Sequence, residues 1–67
     1  MTIKEADEYV GQPFEECRDK LLALTSSLGF DKARIEKPGE MYTADYMTER
    51  VRIMLDDDGK VAAVKQG

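Results

Sequence analysis

The stretch PFEECRDKLLALTSSLG, Pro13 to Gly29, carries apolar side chains at 14, 17, 21, 24 and 28. Alternating steps of three and four trace one face of an α-helix. Arg18, Asp19 and Lys20 lie mostly off that face. Pro13 suits the first helical position, and Glu15 and Glu16 complement the helix dipole in the first turn. Gly29 directly follows Leu28, where a left-handed residue closes a helix. The spacing predicts one amphipathic helix of about four turns.

Toward the N-terminus, Val10-Gly11-Gln12-Pro13 reads as a break ahead of the helix. Residues 1–9 are mostly polar, with Ile3 and Tyr9 as bulky apolar positions after the start. They are expected to form an N-terminal arm, about one helical turn, packed loosely on a single domain of residues 10–67.

Toward the C-terminus the period changes from the helical one to two. Ala33 and Ile35 alternate with Lys32, Arg34 and Glu36, which predicts a short strand with one buried face, ended by Pro38-Gly39. In the next strand Val51, Ile53 and Leu55 point one way and Arg50, Arg52 and Met54 the other. Asp57-Asp58-Gly59 makes a turn, and Val61 to Val64 a last short strand. The expected fold is α+β: one α-helix packed on a small mixed β-sheet, with a long exposed loop between the first two strands. A connection of that length leaves room for those strands to run parallel.

Composition bounds the function. A chain of 67 residues buries only about 60% of its unfolded surface, too little for a second domain or a large enclosed pocket. Function is expected on a loop or an edge. Charged residues make up 36%, with both signs mixed and a net charge of −4. Nucleic-acid binding, which needs clustered Lys and Arg, is not expected. Nor is a membrane span, since no apolar run approaches roughly 18 residues. The first ten residues are polar and acidic, unlike a signal peptide. Cys17 is the only cysteine, so no internal disulfide can form. Both features favour a cytoplasmic protein, with a secreted mature form as the alternative. A monomer is expected.

Chemistry of the catalytic kind finds little footing. The absence of histidine removes Ser-His and Cys-His nucleophilic pairs, and with one cysteine it leaves no zinc site. Cys17 lies on the apolar helix face, where a buried inert thiol is expected. In Asp56-Asp57-Asp58-Gly59, aligning Gly59 with the glycine of a calcium loop puts Met54 at the first ligand position, so a plain turn is expected. The reading is therefore no enzyme, no cofactor and no metal.

The segment from Pro38 to Glu49 has no period of its own. Met41, Tyr42, Tyr46 and Met47 are too apolar for a solvated linker and are expected to meet a partner. Arg50 and Arg52 share one strand face. They are either solvated charges on an open sheet or a brace reaching back under the loop. In an extended loop Thr43 and Asp45 point to one side as acceptors, and Ala44 faces outward.

Together these residues resemble the potato inhibitor I family of serine protease inhibitors. YTADYMTERVRIMLDDDGKVAAVKQG is similar to that family's carboxy-terminal half: a Thr–X–acidic–aromatic loop, Arg–apolar–Arg, an acidic turn, a short strand and a terminal glycine. VGQPFEECRDKLL is similar to its Val-Gly entry into an acidic-starting helix. The tryptophan common near the start of that family's fold has no counterpart, and Ala6 lies near its position. The resemblance implies a reactive bond between Ala44 and Asp45. Met41, Tyr42 and Thr43 would precede that bond in the protease cleft, and Tyr46 and Met47 would follow it. Arg50, Arg52 and Gly67 would support the loop. Ala44 suits proteases that accept small side chains, and Met41 offers the bulky group that subtilisin-like enzymes favour, so these come first and elastase-like ones second. The alternatives are a non-inhibitory protein-binding module and a subtilase folding assistant.

Overall fold

Proline at 13 has no N–H to offer, and the helix begins immediately after it. In the computed structural model, which describes residues 2–67, α1 runs Phe14–Ser27 with Pro13 as its N-cap. No side chain caps it there. Instead the Phe14 N–H, which would lack an intrahelical acceptor, donates to the Gly59 carbonyl at 3.0 Å. Gly11 N–H to Val61 O at 2.7 Å and Val61 N–H to Gln12 O at 2.9 Å fasten the same entry. At the other end Gly29 adopts φ +97 and its N–H reaches Ser26 O at 3.0 Å, as a helix-closing glycine should.

Strands β1 (Lys32–Glu36), β2 (Arg50–Leu55) and β3 (Val61–Gln66) form one sheet in the order β1-β2-β3. β1 runs parallel to β2, and β3 antiparallel to it. This is the mixed sheet and the α+β class expected from the sequence. Residues 37–49 form neither helix nor strand. The β2–β3 turn is closed by Asp56, whose Oδ1 accepts from the N–H groups of Asp58 and Lys60, both at 2.9 Å.

The core joins Phe14, Cys17 and Leu21 of α1 to Val51, Ile53, Val61 and Val64 of the sheet. Cys17 is buried, as its place on the apolar face predicts. Two expectations change. Residues 2–9 are not loosely packed: Lys4–Tyr9 form a 3-10 helix, Ile3 and Ala6 belong to the core, and Ile3 N–H bonds Val64 O at 2.9 Å. A small side chain at 6 lets this turn sit close on the core. Leu28 is exposed, and Thr25 is buried in its stead, its hydroxyl satisfied by Leu22 O at 3.1 Å. A helix drifts slightly from a strict seven-residue repeat, so the buried stripe has moved off 28 by its last turn.

In β1 Ile35 packs half-buried against the core, on the face expected, although Ala33 is exposed. On the opposite face Glu36 is only 7% exposed. Glu36 lies under the loop, which positions the site.

Candidate functional site

The exposed loop leaves β1 at Glu36 and returns to β2 at Arg50. Because β1 and β2 are parallel, the chain must travel the length of the sheet between them. That journey carries residues 41–46 over the polar sheet face, with Met41 97% and Tyr46 63% exposed. Ala44 is exposed as well.

Two guanidinium groups hold the loop on either side of Ala44. On the far side is Arg50, itself buried. Its Nη2 donates to the main-chain oxygen of Asp45 at 2.6 Å, and its Nη1 lies 3.7 Å from the Asp45 carboxylate. Its Nε and Nη2 also donate to the Gly67 main-chain oxygen at 2.9 and 2.6 Å. The Gly67 N–H returns a bond to Arg50 O at 2.9 Å, and Met47 N–H reaches Gly67 O at 3.3 Å. Arg50 thus ties Asp45 to the C-terminal Gly67.

On the near side the brace is Arg34. Its Nη1 donates to Thr43 Oγ1 at 3.1 Å and its Nη2 to Thr43 O at 3.3 Å. The same guanidinium carbon stands 5.2 Å from the centre of the Tyr42 ring, within cation–π range. The Tyr42 hydroxyl accepts from Lys37 N–H at 2.8 Å and ties the loop to its own base.

Arg52 does not make the contact with Thr43 or Asp45 proposed for it. Its Nε and Nη2 donate to the two oxygens of Glu36 at 3.0 and 3.1 Å. Arg34 engages the same carboxylate: its Nε donates to Oε2 at 2.8 Å, and its Nη2 lies 2.7 Å from Oε2 in an ion pair. The parallel register sets Arg34 opposite Arg52. Two like charges there would repel, and Glu36 offsets one of the two charges from between them. Arg52 therefore supports the loop one step removed, through Glu36 and Arg34. Arg34 escaped the sequence reading because its partner strand is fixed by register. Its alternation with Ile35 and the parallel pairing together were the signal.

Arg34, Glu36, Arg52 and residues 42–45 line a hollow of about 410 Å³ under the loop. The Arg52 hydrogen bond holds the Glu36 carboxyl below the ordinary value of 4.5, aided by Arg34 and opposed by burial. Asp45 is lowered from 3.8 chiefly by the Thr43 hydroxyl, with smaller help from Arg50 and Arg34. Both acids are charged at neutral pH.

The Glu36 shift has a stability consequence. A carboxylate lowered on folding stabilises the fold fully above its unfolded value, and that stabilisation fades as pH falls through the folded one. Replacing Glu36 with Gln should cost about 2 kcal/mol at neutral pH. The gap between wild type and variant should close as pH drops below 4.5. Urea unfolding of both chains across the acid range measures it.

Gly67 offers a second check. It sits at φ +134, and a Cβ there would lie 3.2 Å from the Tyr46 ring. Gly67→Ala should cost about 1 kcal/mol and loosen the Arg50 end of the brace, readable as faster amide exchange at Met47.

Residues 3–67 match the peptidase inhibitor I78 family. The chain belongs to that family. The match overturns the assignment to the potato inhibitor I family, because a short pattern of loop and paired arginines describes a braced loop and not a lineage. Among solved structures, the elastase inhibitor AFUEI (crystal form II) is similar at 25% identity, with a TM-score of 0.68. The likeness covers 96% of this chain and 91% of that one. No curated protein matches the chain.

Proposed function

We propose that this peptidase inhibitor acts on serine proteases as a substrate analogue and presents the Ala44–Asp45 bond. The supporting observation is an exposed Ala44 between two clamped neighbours, Thr43 on Arg34 and Asp45 on Arg50. A free peptide loses conformational freedom on entering a cleft. A loop already held in shape avoids much of that cost, so the same contacts bind more tightly.

Met41, Tyr42 and Thr43 fill the cleft ahead of the bond, and Tyr46 and Met47 lie beyond it. The protease serine adds to the Ala44 carbonyl, the bond to Asp45 nitrogen breaks, and the amine takes the proton that left the serine. Arg50 keeps that amine beside the ester. The amine then attacks back more often than water does, and the bond reforms.

The methyl group of Ala44 selects enzymes with small or broad primary pockets. Subtilisin-like proteases fit Ala44 together with Met41, and the likeness to an elastase inhibitor supports elastase-like enzymes as the second class. Titration of active-site-quantified subtilisin and elastase tests the reading. Loss of activity linear in added chain and complete at one equivalent is expected for at least one. Full activity of both at excess chain would favour a binding module. Rescue of subtilase refolding without inhibition of the mature enzyme would favour a folding assistant.

A further inference from the structure

The two clamps differ in what they hold and in where they are anchored, and we infer that they perform separate tasks: Arg34, aimed by Glu36, is a positioning residue that sets the affinity of the loop, while Arg50 sets how slowly it is consumed. This rests on the inhibitory reading above and deepens it. Arg34 belongs to β1 and binds Thr43, on the acyl side of the bond. Arg50 belongs to β2 and binds Asp45, on the leaving side.

Consider the loop once the bond is open. The acyl side is an ester of the protease serine and cannot drift, so Arg34 adds little to holding it. The leaving side has no covalent hold on the enzyme. Its new amine at Asp45 stays near the ester chiefly through Arg50, which bonds Asp45 O at 2.6 Å and is itself fixed on Gly67 O. The Met47 N–H on Gly67 O, at 3.3 Å, holds the chain two residues further on. Without Arg50 the amine departs, water takes the ester, and the inhibitor is turned over.

Before attack the roles reverse in weight. The free acyl side is a run of exposed residues: the Tyr42 hydroxyl on Lys37 N–H ties its start, and Arg34 holds the stretch next to the bond with two bonds to Thr43 and a guanidinium over Tyr42. Glu36 fixes the direction of that guanidinium by accepting from its Nε, which leaves Nη1 for the Thr43 hydroxyl. Arg52 locks Glu36 from the other side with both oxygens engaged. Loss of Arg34 returns conformational freedom to residues 41–43 and lowers affinity, without releasing the amine.

The test measures equilibrium affinity and the rate of cleaved-inhibitor formation for the full chain, against whichever of subtilisin or elastase the wild type inhibits. Arg34→Ala should weaken binding about tenfold and change turnover by less than about threefold. Arg50→Ala should raise turnover by more than about tenfold. Arg34→Lys, which keeps the charge but not the fork, should recover only part of the affinity. Thr43→Val removes one acceptor at an exposed position and should weaken binding in the same way, which covers the case of an Arg34→Ala chain that fails to fold. Unchanged affinity on removing either partner overturns the division, as does a rise in turnover equal to that of Arg50→Ala. A wild type that inhibits neither enzyme overturns the functional reading and this inference together, whereas an active wild type confines any failure to the division of tasks.

Discussion

Replacing Ala44 with arginine should turn the chain into an inhibitor of trypsin-like proteases and weaken it against enzymes with small pockets. Ala44 is exposed and flanked by clamped residues, so a long side chain meets open solvent and leaves both clamps in place. The methyl group of alanine cannot pair with the acidic pocket of a trypsin-like enzyme, and a guanidinium forms a forked, charge-assisted contact there. A gain of more than about a hundredfold toward trypsin is expected, since a buried contact of this kind exceeds about 3 kcal/mol. Inhibition constants for trypsin, elastase and subtilisin with both chains measure it. An unchanged trypsin constant would remove residue 44 from the primary contact.

The second large effect is on the fold that carries the loop. Leu21 is fully buried at the centre of the helix face, in one cluster with Val51 and Ile53. Truncation to alanine removes its burial and leaves a cavity, at a cost of about 3 kcal/mol. A domain this small has only about 5 kcal/mol to lose and no disulfide to limit unfolding. Leu21→Ala should therefore populate unfolded chain near 37 °C, an everyday assay temperature. Both clamps are built from strands, Arg34 on β1 and Arg50 on β2, so inhibition should fade as the sheet melts. Urea unfolding with parallel activity titration checks the coupling. A loss under about 1 kcal/mol would contradict the packing described for Leu21.

Much of this architecture is legible because it rests on local periodicity. The helix from Phe14 to Ser27 follows from its apolar spacing, and β2 from the alternation of Val51, Ile53 and Leu55 with the arginines. The long segment without a period leaves room for a parallel β1–β2 pair, and the strands pair that way. What escaped depends on contacts distant in sequence. Ala6 is buried because a 3-10 helix returns to β3, and nothing in a polar N-terminal stretch signals that.

The loop brace divides along the same line. Arg50 stands five residues from Asp45 and reaches it much as local geometry suggests. Arg34 reaches Thr43 only because β1 lies beside β2 in one register, with Glu36 between Arg34 and Arg52. Periodicity placed Arg52 on the correct face and could not choose its partner. A buried carboxylate on a neighbouring strand is a stronger attraction than an exposed loop hydroxyl.

The central claim is that the Ala44–Asp45 bond is the one offered to a protease. The most direct measurement incubates the chain with a catalytic amount of the inhibited enzyme, quenches in acid, and reads new termini by mass spectrometry. One cut is expected, giving a fragment that ends at Ala44 and one that begins at Asp45, in a ratio to intact chain that stops changing. A first cut elsewhere in residues 37–49, or continuous digestion through several bonds, would contradict it.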